Sequence, residues 1–219
     1  MKKLSLYILF ALVAVTATSL ASCSESDDTT PEFPDWKNTN AAYFDKEYNA
    51  VKSYADAGNA DYKVLCAWNL NDEVATHTYD HVLVNVLKAG NGSGMPFYTD
   101  SVKVHYSGRL LPSTTYPEGL VFDQSWTGDY NLKTMKPATM GVAGTVVGFS
   151  TALQHMHIGD RWQITIPQQL AYGSASTPGA AYSTLIFDVT LVAYYRCDSP
   201  TKLSSMKDGN AKRGEWVYE

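Results

Sequence analysis

MHIGDRWQITIPQQLAYG, residues 156–173, is the stretch that decides the fold. Apolar residues alternate with polar ones from Asp160 to Ile166, which predicts a β-strand with one face buried and the other in water. Gly159 predicts a turn before this strand, and Pro167 ends it because proline cannot donate to a strand ladder. The stretch therefore indicates a turn, a strand and a second turn in quick succession.

A short helix is predicted directly before the Gly159 turn, in GFSTALQHM, residues 148–156. Its four apolar residues are spaced at i, i+3, i+4 and i+7, so they share one side of a helix. These residues are Phe149, Ala152, Leu153 and Met156. No other convincing helix is predicted between the strands of the main domain.

Strand signals recur on both sides of this helix. β-branched and aromatic residues alternate with polar ones in segments 62–68, 81–87, 102–111, 120–125 and 184–194. The glycine-rich KAGNGSGMP leads into a strand, whereas a phosphate-binding loop needs a helix behind it, so we interpret it as a strand-connecting turn. An antiparallel sheet closing over one helix is an α+β fold.

Two appendages flank the main domain, which we place at residues 81–196. Residues 35–80 are predicted to form a small helical and extended preface, with a helix over about 35–56 that Gly58 and Asn59 would stop. The apolar face of that helix would comprise Trp36, Tyr43, Phe44, Tyr48, Val51 and Tyr54. The polar tail, 197–219, is expected to wrap loosely or stay mobile.

The first 22 residues have the pattern of an export signal, because Lys2 and Lys3 precede a short apolar run that ends in small residues. Leu20 to Cys23 resembles the bacterial lipobox, which implies lipidation of Cys23 and a flexible tether over 23–34. The alternatives are an uncleaved membrane anchor and an ordinary secretory peptide with an incidental cysteine. We expect a location in the cell envelope, anchored to the outer membrane by lipid, on either its periplasmic or its surface face.

Composition and residue spacing bear on three features: a nucleic acid partner, a disulfide and a metal site. The net charge of −5 and the scattered Lys and Arg residues provide no basic stripe for a phosphate backbone, so we expect no nucleic acid partner. In an oxidising compartment Cys66 and Cys197 could form a disulfide or remain two free, mostly buried thiols. His155 and His157 are two residues apart, which places them on different faces of a helix, so we predict no metal site.

Five segments, in order, resemble the FKBP family of peptidyl-prolyl cis/trans isomerases, and the resemblance spans about residues 80–195. The segments are VKVHYSG (102–108), VFDQS (121–125), KPATMGVAGTVVGFSTALQHM (136–156), HIGDRWQITIPQQLAYG (157–173) and STLIFDVTLV (183–192). The KPAT phrase resembles the bacterial Mip-like branch. The family fold is an antiparallel half-barrel wrapped around one short helix, and the family uses no metal or organic cofactor.

The resemblance implies a proline pocket made of seven residues. Those of a catalytic kind are Tyr106, Phe122, Asp123, Tyr172 and Phe187, and those that hold the substrate are Val146 and Phe149. The Tyr172 hydroxyl and the backbone N–H of Val146 would each bind a substrate carbonyl. For Asp123 the resemblance leaves two readings, one that orients or polarises the pocket and one of plain structural hydrogen bonding.

Three departures from the family pattern bear on activity. Ala138 stands where drug-binding relatives have phenylalanine, segment 174–182 lacks the usual Ile-Pro-Pro, and the insertion at 109–120 is longer than the usual hairpin. Each could weaken binding of a macrolide inhibitor, which the resemblance suggests as a further ligand.

The leading hypothesis is an isomerase that acts on proline-containing unfolded or extended polypeptides through a desolvated aromatic pocket. The competing hypothesis is a non-catalytic binding or chaperone module, in which the same pocket or the aromatic preface holds a partner. Without the resemblance, Phe149, Phe187 and Val146 would be read as ordinary core. We expect a monomer, because the preface lacks a sustained heptad repeat.

Overall fold

The computed structural model describes residues 32–176, 179–197 and 214–218, apart from the side chain of Cys197. The predicted signal segment, Cys23 and most of the tether lie outside these residues. In the described part, two α-helices and eight strands follow one another. They are α1 (Trp36–Asp56), β1 (Tyr62–Cys66), β2 (His81–Lys88), β3 (Ser101–Arg109), β4 (Val121–Gln124), β5 (Ala138–Gly141), α2 (Val147–Leu153), β6 (Arg161–Ile166), β7 (Leu185–Cys197) and β8 (Gly214–Val217).

The eight strands form one antiparallel sheet in the order β1-β2-β6-β7-β3-β4, with β5 pairing β3 and β8 pairing β7. The long strand β7 lies at the centre, because β3 runs along one side of it while β6 and then β8 run along the other. This arrangement confirms the predicted α+β class with an antiparallel sheet.

The main core lies between the sheet and α2. Leu153 and Met156 are fully buried there, as are Ile164 and Ile166 of β6. The alternation predicted for β6 is observed, because Trp162, Ile164 and Ile166 are buried while Gln163 between them is exposed. The helix is shorter than predicted and ends at Leu153, yet Met156 keeps its place in the core.

Helix α1 packs on the opposite face of the sheet. Phe44 and Val51 form a separate buried cluster with Leu83 of β2, whereas the neighbours Val82 and Val84 belong to the main core. Because successive side chains of a strand point to opposite faces, α1 and α2 cover different sides of β2. The predicted α1 helix is confirmed, and it ends just before Gly58, whose φ is +80°.

Three expectations differ from the structure. The strand β5 was not predicted, since four residues that include a glycine carry no alternation signal. Part of the tail expected to be loose, Gly214–Val217, forms β8 on the β7 edge. The predicted boundary at residue 80 coincides with no break in the sheet, because β1 pairs with β2 along five residues.

Two further observations concern the membrane and the thiols. Neither helix in the described ranges combines the length and the apolar character needed to cross a bilayer. Cys66 is a half-buried free thiol, and burial raises its pKa, helped by Asp72 and Asp80.

Candidate active site

Aromatic side chains from four separate elements surround a cavity of about 200 Å³ on the α2 side of the sheet. Tyr106 comes from β3, Phe149 from α2, Tyr172 from the turn after β6, and Phe187 from β7. The remaining lining residues are Asp123, Met140, Gly144, Thr145 and Val146. Segments far apart in the chain therefore meet at one concave surface.

Three rings form the base of the cavity, and they pack by their edges. The Phe149 and Phe187 ring centroids are 5.0 Å apart with an interplanar angle of 70°, and Tyr106 lies 6.3 Å from Phe149 and 6.5 Å from Phe187. Edge-to-face contacts of this kind are the favoured arrangement of aromatic pairs. Phe149 and Phe187 are buried, so the base is dry and apolar.

Phe122 contacts this base through Phe187 and is not among the residues that line the cavity. Its ring meets Phe187 edge-on at 5.4 Å. Gly108 of β3 makes room for both rings, since a Cβ atom there would lie 2.4 Å from Phe187 Cε1 and 2.7 Å from Phe122 Cζ. Sequence reasoning missed this requirement, because the register that places Gly108 opposite Phe187 follows from strand pairing.

The polar groups of the cavity lie near its mouth. The Tyr106 hydroxyl donates to Asp123 Oδ2 at 2.9 Å. Burial and this hydrogen bond raise the pKa of Tyr106 to about 12, so the phenol stays neutral at any physiological pH. Tyr172 is 42% exposed, and in the described part of the chain its hydroxyl has no hydrogen-bond partner.

Helix α2 contributes a backbone donor at its start. Val146 is the N-cap residue, with extended backbone at φ −62° and ψ 152°, and its carbonyl accepts from Ser150 N at 3.0 Å. Among the described residues the Val146 N–H has no acceptor. The residue Val146 lines the cavity, and a helix N-terminus leaves its first N–H groups without partners inside the helix.

The seven pocket residues predicted from the sequence therefore gather in one region, with six around the cavity and Phe122 in contact with Phe187. Met140 was not predicted, and it lines the cavity from β5, the strand that lacked a sequence signal. Ala138 lies on the same strand but outside the lining. The part of the chain that the structure describes holds no group of three His, Cys, Asp or Glu side chains that could bind a metal ion.

The fold and the site together place a largely aromatic pocket where the antiparallel sheet meets the short helix α2. The lining is mostly aromatic and apolar, and its polar side chains are Tyr106, Asp123, Thr145 and Tyr172.

Comparison with known proteins finds a family match for part of the chain. Residues 93–192 match the family described as FKBP-type peptidyl-prolyl cis-trans isomerase. This match covers just under half of the chain and includes all seven predicted pocket residues, so it supports the resemblance found in the sequence.

Curated relatives match over a similar region. The chain is 37% identical over 128 residues to the FKBP-type 22 kDa peptidyl-prolyl cis-trans isomerase of Escherichia coli, a match that covers 57% of this chain and 55% of that protein. It is 38% identical over 110 residues to the peptidyl-prolyl cis-trans isomerase Mip of Coxiella burnetii, covering 49% and 42%. The chain thus spans about half the length of the curated relatives it matches.

Among solved structures, FkpA from Escherichia coli is similar at a TM-score of 0.46 and 26% identity, covering 87% of this chain and 81% of that one.

Proposed function

We propose that the protein accelerates cis/trans isomerisation of Xaa-Pro bonds in exported or surface polypeptides. The observation that carries this proposal is the cavity whose aromatic base is formed by Tyr106 and the buried residues Phe149 and Phe187. A proline ring is apolar and compact, so it fits a concave aromatic surface. The match of residues 93–192 to the isomerase family supports the same reaction, and relatives named as isomerases do not favour a purely non-catalytic module.

The physics of the reaction suits a pocket without a nucleophile. Rotation about the amide C–N bond has a barrier of about 18–20 kcal/mol, because the bond loses its partial double-bond character on the way. The twisted amide has less charge separation than the planar amide and depends less on water. A desolvated pocket therefore favours the twisted state over the ground state, and each tenfold gain in rate needs only about 1.4 kcal/mol of that preference.

Each polar group then has a defined role in the proposal. The Tyr172 hydroxyl at the mouth would donate to one substrate carbonyl near the proline. The unpaired Val146 N–H would donate to a second one. Asp123 would act by holding the Tyr106 ring in place through the 2.9 Å hydrogen bond. Phe122 would act indirectly, by fixing the Phe187 ring against which the proline packs.

The test is the cis-to-trans rate of a Phe-Pro or Leu-Pro peptide in the presence of the protein. Tyr172→Phe removes one hydroxyl from an exposed side chain, so it should lower kcat/KM without affecting folding. Phe149→Leu keeps the core apolar while removing the aromatic base, and Phe149→Ala removes it completely. Both Phe149 variants should reduce the acceleration of the peptide, and Phe149→Ala should reduce it by at least about tenfold.

Tyr116→Phe is the matched control, because Tyr116 is 41% exposed, like Tyr172, yet lies outside the cavity. We expect it to leave the rate unchanged. A folded wild-type protein that does not accelerate the peptide would refute the proposed activity, and so would full activity in both Tyr172→Phe and Phe149→Ala.

For location, we propose the cell envelope, with a lipid anchor on Cys23 in the outer membrane. The lipobox-like residues before Cys23 support this, and one relative, 36% identical over 110 residues, is named outer membrane protein MIP of Legionella longbeachae. Cys23→Ala should move the protein from the membrane fraction to the soluble fraction. Protease treatment of intact cells would then separate the surface face from the periplasmic face.

Two finer points complete the proposal. A macrolide inhibitor should compete with the peptide for the same cavity, and Ala138 on β5, where drug-binding relatives have phenylalanine, should make its binding weak. The protein should sediment as a monomer, since α1 buries its apolar face against its own sheet.

A further inference from the structure

The start of helix α1 is tied to the segment that enters β7 by a buried network of polar groups. Asn40 Oδ1 accepts from the backbone N–H of Thr184 at 2.7 Å, while Asn40 Nδ2 donates to the Trp36 carbonyl at 2.7 Å. Trp36 Nε1 donates to Ser183 Oγ at 2.7 Å. The two α1 residues lie more than 140 positions from Ser183 and Thr184 in the chain, so the network is a tertiary contact.

The network is buried and internally complete. Asn40 and Thr184 are each 1% exposed, and Ser183 and Trp36 are also buried. Ser183 Oγ in turn donates to the Ala180 carbonyl at 2.8 Å. Buried hydrogen bonds of this kind are costly to break, because the freed groups have no water to replace the lost partner.

The tied segment leads to two walls of the pocket. Thr184 directly precedes β7, which carries Phe187 three residues later. On the other side of the turn, Tyr182 N donates to the Gly173 carbonyl at 2.7 Å, and Gly173 follows Tyr172. One network thus fixes the backbone next to both Tyr172 and Phe187.

The backbone at Tyr182 has an unfavourable conformation that needs support from its surroundings. Tyr182 has φ +61°, a left-handed conformation that residues other than glycine rarely adopt. Its ring lies under the Lys37 ammonium, with 4.8 Å from Nζ to the ring centroid. Lys37 also belongs to α1, so the helix holds the turn from both its buried and its exposed sides.

We propose that Asn40 and Trp36 are positioning residues for the proline pocket, holding Tyr172 and Phe187 in their binding arrangement through Ser183 and Thr184. This inference rests on the proposed isomerase function. Loss of the network lowers the fraction of molecules with a competent pocket, and the apparent affinity for substrate falls by that same fraction. The bound, competent state is unchanged, so the effect belongs to KM and not to kcat.

The experiment compares three variants of the full chain, at a temperature where each is folded. Asn40→Ala removes the acceptor for Thr184, and Trp36→Phe removes the indole N–H together with part of the buried ring. Val51→Ala is the control. Val51 lies on the same helix but packs in the separate cluster with Phe44 and Leu83, away from the network. We expect Asn40→Ala to raise KM about tenfold with kcat within about twofold, Trp36→Phe to raise KM less, and Val51→Ala to lower the Tm without changing KM.

Hydrogen exchange gives a second readout that is independent of activity. Amides in residues 179–190 should exchange faster in Asn40→Ala than in the wild type, whereas Val51→Ala should speed exchange in α1 and β2 and leave 179–190 unchanged. The positioning role is overturned if KM and exchange at 179–190 are unaffected in Asn40→Ala, or if Val51→Ala raises KM equally. If the wild-type protein does not accelerate isomerisation of the peptide, only the proposed function is overturned. Hydrogen exchange at residues 179–190 still tests the positioning role of the network.

Discussion

Gly108 shows how much of the site depends on single residues that contribute no side chain. It lies in β3 opposite Phe187, and the Phe122 and Phe187 rings occupy the space that a Cβ atom would need. The sequence predicted the aromatic residues through family resemblance. It could not predict why a glycine stands between them, because that depends on which strands pair and in which register.

Gly108→Ala should therefore displace the two rings. We expect a loss of about 1–3 kcal/mol in the free energy of unfolding, the usual cost of overpacking, together with a lower kcat/KM. Gly141→Ala is the control, because nothing lies within 4 Å of a Cβ atom at Gly141. Thermal unfolding and the peptide assay would check both, and equal behaviour of the two variants would contradict the prediction.

Glu32 offers a residue-scale prediction about pH. Its carboxylate accepts hydrogen bonds from the Ser113 and Thr115 hydroxyls, and from Thr115 N at 3.0 Å, which together lower its pKa below the usual 4.5. A lowered folded-state pKa means that the stabilising contribution is complete above about 4.5 and is lost as the pH falls through the folded-state value.

An NMR titration of the Glu32 carboxyl carbon should give a midpoint below 4.5, and Ser113→Ala should move the midpoint back toward it. A midpoint at or above 4.5 in the wild type would show that the contact with the 109–120 insertion does not form in solution.

At the scale of elements, the contact between α2 and β6 is set by Gly148. A Cβ atom at this position would lie 2.2 Å from Ile166 Cγ2, so the Ile166 side chain packs directly against the backbone of the helix. The alternation of β6 and the periodicity of α2 were enough to predict both elements. The closeness of their packing was not predictable, because a glycine inside a helix has no such signal of its own.

Gly148→Ala should lower the free energy of unfolding by about 1–3 kcal/mol, because α2 must move away from β6. Ile166→Ala alone should cost about 2–5 kcal/mol through the cavity it leaves. The double variant should lose less than the two single losses combined, since each change relieves the other. Denaturant unfolding of all four proteins measures this coupling, and simple additivity would argue against the contact.

At the scale of the whole molecule, residues 35–80 belong to the same folded unit as the rest. Strand β1 pairs with β2, α1 covers Leu83, and Trp36 lies in the main core. Sequence reasoning separated this segment as a preface because its resemblance to the family begins only near residue 80. Buried polar contacts such as Asn40 to Thr184 also give no pattern, since a polar residue on a helix is usually exposed.

Removing residues 32–80 should therefore leave a chain that does not fold cooperatively. Strand β2 would lose its neighbour β1 and the helix α1 that covers Leu83. Circular dichroism and thermal unfolding would show a broad, low-temperature transition or none. A sharp transition near the wild-type Tm would mean that residues 81–218 fold independently.

The short strand β8 has a consequence for how the protein behaves among its own copies. Strand β6 pairs with β7 only from Leu185 to Thr190, and β8 pairs with it again from Tyr194 to Cys197. Without β8, the end of β7 would present unpaired backbone groups beside the Tyr194 and Tyr195 rings. An open strand edge is a template for aggregation, so we expect the pairing of β8 with this end of β7 to limit self-association of the protein.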